Sequence, residues 1–205
     1  MMYRWILPLF LVSAGLHAQH SSVNDRMRDA LEAQAELDSA YADAEHSPLL
    51  EEDLASFNGH EYFPIDTNWM VTAKVIRTPD AKPFEMATTT DRRPVYRQFA
   101  WLEFEAEDTV VRLAIYQSIR LLNRPGYEDY LFLPFGDGTN GGSSYGGGRY
   151  LDLRIPDGDD IYIDFNQCYN PYCAYGGPYS CPRIPEENLL IIPIRAGVKA
   201  PSFHH

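Results

Sequence analysis

The chain is poor in the residues that most catalytic motifs are built from. It has three cysteines in 205 residues, and Cys168, Cys173 and Cys181 show no CxxC spacing and no neighbouring histidine, which argues against a zinc site. Of its six histidines, His17, His20, His204 and His205 lie near the ends, and His46 and His60 lie in the N-terminal part. A nucleophilic Cys173 needs a base, and only His60, brought close by folding, would supply one. No GxSxG elbow supports a serine triad, and no glycine loop leads into a helix of Walker or Rossmann type. Asp137-Gly-Thr139-Asn140 and Asp157-Gly-Asp159-Asp160 offer oxygen ligands but match no EF-hand loop, and they read as turns. No metal and no cofactor is expected.

Positive charge is scarce too. Lys and Arg number 17 against 29 Asp and Glu, a net −12 at pH 7. Such a chain lacks the general field that attracts phosphate backbones, so no nucleic-acid partner is expected, and the charge serves solubility. Long hydrophobic runs are also missing. The apolar stretch Trp5 to Val12 is about half of what a bilayer span needs. Preceded by Arg4 and followed by Leu16-His17-Ala18, it reads as a secretory signal over residues 1–18, with Gly15 as a second candidate end. No cysteine follows it to carry a lipid. The expected product is exported, periplasmic or extracellular, without a membrane span, and of a length that suits one domain.

What is present falls into two parts, a helical segment over 19–58 and an antiparallel β domain over 59–200, folded as one unit. Val23, Met27, Leu31, Gln34, Leu37 and Tyr41 recur at spacings of three and four, which predicts a helix from Val23 to Glu45 with one stripe against the rest of the fold. Ser47-Pro48 ends it, and a second short turn is expected over Glu51 to Phe57, stopping at Asn58-Gly59. After Gly59 the periodicity changes. Segments 69–78, 84–89, 96–105, 109–119, 130–135, 150–155, 160–165 and 189–195 are short, rich in β-branched and aromatic residues, and separated by turn residues. Mostly short links favour antiparallel neighbours. The expected fold is mainly β, an antiparallel barrel or sandwich of about eight or more strands with the helix packed outside. Tandem repeats are absent, and low complexity is confined to Gly136–Gly148, with seven glycines.

Tyr145-Gly-Gly-Gly-Arg-Tyr-Leu-Asp152, Asp164-Phe-Asn166, Tyr169-Asn-Pro-Tyr-Cys-Ala-Tyr175, Cys181-Pro182 and Glu187-Asn188 together resemble the signature of a bacterial and archaeal family, the domain of unknown function sixteen-eighty-four. The likeness extends loosely through Ser47-Pro48-Leu49, Phe63-Pro64-Ile65-Asp66 and Arg195-Ala-Gly197. Two departures matter. Val198 stands where the family tends to have an acid, and Cys168 where it usually has a small residue, so neither position carries a shared role. The resemblance implies membership and no particular activity.

Within that block, Gly146-Gly147-Gly148 before Arg149 can bring backbone N–H groups towards one point, a possible anion nest with a guanidinium beside it. The blander alternative is a hairpin whose arginine pairs with Asp152 or Asp164. Asp164 and Asn166 share a strand face with Tyr162 and can either fix a polar ligand or tie down the following loop. If 150–155 and 160–165 form a hairpin through Pro156-Asp157-Gly158, Arg149 lies opposite Asn166 and next to Asp164. Cys173 and Cys181 are eight apart in a Pro- and Gly-punctuated loop; as a disulfide they would contribute roughly 2.5 kcal/mol, leaving Cys168 free in the core. Three functions stay open: a binding module holding a small polar or anionic ligand near Arg149, Asp164, Asn166, Asn170 and Tyr175; a hydrolase-type enzyme with Asp164 as base and Arg149 as anion clamp; or a structural domain with a disulfide staple.

Overall fold

A computed structural model describes residues 22–202; the expected signal, 1–18, lies outside them. The chain enters the first helix at Ser22. Its hydroxyl accepts the Asp25 N–H at 3.1 Å, and the Asp25 carboxylate accepts the Ser22 N–H at 3.1 Å, so two of the free donors at the helix start are satisfied. α1 runs Val23–Ala42, ending before the expected Glu45, and a second turn, α2, covers Glu51–Leu54. The face α1 buries keeps most of the expected stripe, with Met27 and Leu37 half-buried. Ala30, Gln34 and Tyr41 are buried, whereas Val23 and Leu31 are more than half exposed. Gln34 tolerates burial because its Nε2 donates to the Asn166 carbonyl at 2.9 Å, which ties α1 to the loop after the last strand. No helix among the described residues is long and apolar enough to cross a membrane.

Seven strands follow: β1 (Met70–Arg77), β2 (Phe84–Glu85), β3 (Val95–Ala106), β4 (Thr109–Ser118), β5 (Tyr130–Phe135), β6 (Arg149–Arg154) and β7 (Asp160–Asp164). They form one sheet in the order β6-β5-β4-β3-β1-β7, with β2 on β3 and every pairing antiparallel. The sheet curls into a half-barrel. Its two edge strands, β6 and β7, are consecutive in the chain, and the link 155–159 spans at most roughly 20 Å. Tyr150 and Tyr169 complete the approach by exchanging backbone hydrogen bonds of 2.9 and 3.0 Å.

Trp69, Leu102, Leu113, Ile115, Leu133 and Phe165 fill the concave side. Met86, Tyr116, Phe132 and Tyr150 make a second cluster on the outer face of β4 to β6, beneath the β2 segment and Ile184. β5 is therefore buried on both faces, which is why Leu131 to Phe135 shows no alternation. Between β4 and β5 the ladder holds at Tyr116 and Phe132. Beyond that point Pro134 has no N–H to give, and the Asn188 side chain fills the gap. Its Oδ1 accepts the Ala114 N–H at 2.7 Å, and its Nδ2 donates to the carbonyls of Ala114 and Pro134 at 2.8 and 2.6 Å.

Two expectations are corrected. The segment Leu189 to Arg195 is not a strand. Its backbone docks on the glycine-rich stretch instead: Leu190 N–H donates to Gly136 O at 2.8 Å, and Gly138 N–H to Ile192 O at 3.0 Å. The approach needs glycine, because a Cβ on Gly138 would lie 2.5 Å from the Ile191 carbonyl oxygen. Nor do 150–155 and 160–165 pair as a hairpin. β6 pairs with β5 from Arg149 to Arg154, and β7 with β1 from Asp160 to Asp164.

Candidate functional site

Arg149 is built into the interior. Gly148 turns the chain into β6 at φ +86°, where a Cβ would meet the Phe135 carbonyl oxygen at 2.7 Å. The guanidinium that follows is wholly buried. One terminal nitrogen meets Asp137 Oδ2 and the Ile194 carbonyl, both at 2.7 Å, and the other donates to the carbonyls of Ala196 and Val198. Asp137 Oδ1 accepts from Thr139 N at 2.8 Å, Thr139 Oγ1 at 2.7 Å and Ile194 N at 3.1 Å. The pair thus locks the glycine-rich stretch to the C-terminal segment. The expected partners are engaged elsewhere: Asp152 accepts the hydroxyls of Tyr130 and Tyr169 at 2.6 and 2.8 Å, and Asp164 faces Asn166. Arg149, Asp164 and Asn166 do not form one site, and both terminal nitrogens of Arg149 are spent on the protein.

Asp164 and Asn166 tie loops. Asp164 Oδ1 accepts the Asn166 N–H at 2.9 Å and its Nδ2 at 2.7 Å, and Oδ2 accepts Gln167 Nε2 at 3.1 Å. Asn166 also holds both backbone groups of Asp66, at 2.9 and 3.0 Å. Asn170 donates to the Tyr175 hydroxyl at 3.2 Å and to the Lys199 carbonyl at 2.8 Å. That places Asn170 and Tyr175 near a different group, Asp38 and His60. His60 Nδ1 lies 2.6 Å from Asp38 Oδ1, which also accepts the Tyr62 hydroxyl at 2.9 Å. The His60 side chain is 3% exposed, and its Nε2 has no partner among the described residues. Burial pushes the imidazole below its ordinary range against the opposing pull of Asp38. The adjoining cavity, lined by Phe57, His60, Tyr175 and Lys199, measures about 200 Å³, less than most small-molecule sites.

Cys173 sits on the short turn Tyr172–Tyr175. Cys181 is anchored across from Thr89, whose N–H donates to the Cys181 carbonyl at 2.9 Å and whose hydroxyl accepts the Cys181 N–H at 3.1 Å. The Cys173 N–H points at Cys181 Sγ, 3.2 Å away. The two expected disulfide partners are thus neighbours, both free thiols here, and Cys168 is free and buried against the Ala196 carbonyl. A hydrogen bond from Cys181, helped by the Tyr145 and Thr89 hydroxyls and opposed by burial, brings Cys173 down to about 7. The same bond and burial raise Cys181. Burial and the neighbouring Cys173 push the Tyr145 phenol up to about 12, so it stays a neutral donor.

Cys173 forms one wall of a cavity of about 420 Å³, with Tyr145, Gly146, Gly147 and Arg183 around it. That volume is within the usual range for small-molecule sites. The N–H groups of Gly146 and Gly147 have no acceptor among the described residues. Arg183 spends Nε on the Thr88 carbonyl at 3.0 Å, and its two terminal nitrogens have no acceptor among the described residues. Tyr150, whose hydroxyl donates to the Pro182 carbonyl, fixes the strip that carries Arg183. Sequence reasoning missed Arg183 and the Asp38–His60 pair. Arg183 directly follows Cys181-Pro182 and was open to notice; Asp38 and His60 lie on separate segments that only folding joins.

Among solved structures, the solution NMR structure of an uncharacterised protein from gene locus rrnAC0354 of Haloarcula marismortui is similar. It is 31% identical with a TM-score of 0.69, and the match covers 88% of this chain and 97% of that one. No curated protein matches. A family profile described as protein of unknown function matches residues 55–199, more than half of the chain, and includes every segment of the signature block. The chain therefore belongs to that family of unknown function, DUF1684.

Proposed function

We propose that this is an exported domain that binds a small polar ligand through an oxyanion group, carboxylate or phosphate, in the cavity between the glycine stretch and the cysteine loop. The observation that carries it is one convergence: Arg183, with its terminal nitrogens unpaired, and Gly146 and Gly147, with free N–H groups, line the same 420 Å³ space. A planar donor fork with adjoining backbone donors suits an oxyanion, and the site stands out in a chain of net charge −12. The role first expected of Arg149 passes to Arg183. Tyr145 offers the ligand a neutral hydroxyl. Asn170 and Tyr175 support the loop that carries Cys173.

The hydrolase alternative moves as well, from Asp164 and Arg149 to Asp38 and His60. One observation favours it, the buried Nε2 without a partner beside a cavity, since a carboxylate on Nδ1 leaves the other nitrogen as an acceptor. Thermal unfolding of the mature protein with inorganic phosphate or citrate separates the two sites. Stabilisation lost in Arg183→Ala and kept in His60→Gln supports the oxyanion site; the reverse pattern supports the His60 site.

A further inference from the structure

The geometry points to a reversible thiol–disulfide exchange centre, in which Cys173 attacks a low-molecular-weight disulfide and Cys181 resolves the adduct. It stands on the arrangement of the two sulfurs and holds whether or not Arg183 binds an oxyanion.

Three observations carry it. The sulfurs are held together, with Cys181 Sγ accepting the Cys173 N–H at 3.2 Å, so the second step needs no large movement. Their access differs: Cys181 is 6% exposed, while Cys173 is partly exposed and borders two cavities of about 420 and 400 Å³. A substrate can reach the first sulfur but not the second. Finally, the groups facing the pair favour charge on Cys173. The Cys181 thiol and the Tyr145 and Thr89 hydroxyls lower Cys173 against burial, while Cys173 and burial raise Cys181 against the pull of Arg92. Tyr150 feels both cysteines and remains a neutral phenol. Cys168 does not compete, because it is 1% exposed and raised by burial.

The chemistry balances in two steps. The Cys173 thiolate attacks one sulfur of R–S–S–R′, forming Cys173–S–S–R and expelling R′–S⁻, which takes a proton from solvent. Cys181 then gives up its proton, and its thiolate attacks Cys173 Sγ, forming the Cys173–Cys181 disulfide and expelling R–S⁻. The substrate disulfide gains the two electrons that the protein pair loses, and excess thiol drives both steps backwards.

Reduced mature protein is mixed with oxidised glutathione at pH 7, quenched with acid, and read by intact mass and peptide mapping. Wild type should release two glutathione molecules and gain the Cys173–Cys181 disulfide, which excess reduced glutathione reopens. Cys181→Ser should hold one glutathione on Cys173, and Cys173→Ser should take none on Cys181. Circular dichroism establishes that each variant is folded. Should one fail to fold, iodoacetamide footprinting of native wild type gives the same reading without substitution. At pH 7 the thiolate fraction of Cys173 exceeds that of free cysteine roughly 15-fold, and lower nucleophilicity returns roughly fivefold of this. Cys173 should therefore be alkylated about threefold faster than free cysteine, with Cys181 far slower. Absence of an adduct on Cys173 in Cys181→Ser, alkylation of Cys181 before Cys173, or a wild-type disulfide that reduced glutathione cannot open would each overturn the proposal.

Discussion

The Arg149 and Asp137 side chains have no exposure at all, so removing either leaves a charge buried without its partner. We expect Arg149→Ala and Asp137→Ala each to cost about 3–5 kcal/mol, measured as a fall in the urea midpoint at unchanged slope. Arg183→Ala should stay within about 0.5 kcal/mol of wild type, because that side chain is exposed and makes one hydrogen bond. A loss for Arg183→Ala as large as for Arg149→Ala would make both arginines scaffold. His60 gives a pH signature. Burial lowers its folded pKa below the ordinary 6.5, so on acidification the unfolded chain takes up the proton first. Its contribution to stability is present above about 6.5 and is lost as pH falls from there towards the folded value. Denaturation at pH 7.5, 6.5 and 5.5 should show a decline in wild type that His60→Gln lessens; parallel curves would place His60 in contact with water. The residues that matter most were partly legible. Arg149 announced itself through the glycines before it, but its partner Asp137 read as a turn residue, because nothing local links two positions on opposite ends of a long loop.

The strands were legible as elements and illegible as neighbours. Segments 69–78, 96–105, 109–119, 130–135, 150–155 and 160–165 each hold a strand of the sheet, because β-branched and aromatic composition reports local fit to a pleated surface. Order in the sheet is decided by longer-range burial. Pro156-Asp157-Gly158 looks like the turn of a hairpin, yet β6 and β7 lie at opposite edges of the sheet, and β6 bridges instead to Tyr169, beyond the end of β7. Leu190-Ile191-Ile192 has strand composition but lies beside glycines, and Ile191 is 95% exposed. Helix α1 and most of its buried face were located by its period, to which folding adds Ala30 and the bond from Gln34. Asn188 tests the sheet at this scale. Asn188→Ala strands the Ala114 N–H and two carbonyls between β4 and β5, at a cost of about 3 kcal/mol. Hydrogen exchange at the Ala114 amide should accelerate more than at Leu102 in β3. Uniform acceleration across the sheet would mean that Asn188 supports the whole fold rather than one seam.

At the scale of the whole molecule, a curled sheet buries most of what the signature block contributes and leaves one side of it open. Arg149, Asn166 and Asn188 are buried and tie loops and strands to the half-barrel, whereas Tyr145, Gly146, Gly147, Cys173 and Arg183 surround a space of ligand size. The proposed export bears on the same region, because an oxidising compartment would set the resting state of Cys173 and Cys181. Intact mass from an exporting host should show a chain that starts at Gln19; a chain that still begins at Met1 would contradict the assignment of residues 1–18 as a signal. Whether the open side holds an oxyanion is decided by titrating ¹⁵N-labelled, reduced mature protein with inorganic phosphate and with citrate, following backbone amides and arginine side chains by NMR. Saturable shifts should cluster at Gly146, Gly147, Cys173 and Arg183 for at least one of the two anions and should vanish in Arg183→Ala. Shifts centred on His60 and Lys199, or none that saturate around the glycine stretch with either anion, would contradict an oxyanion site there.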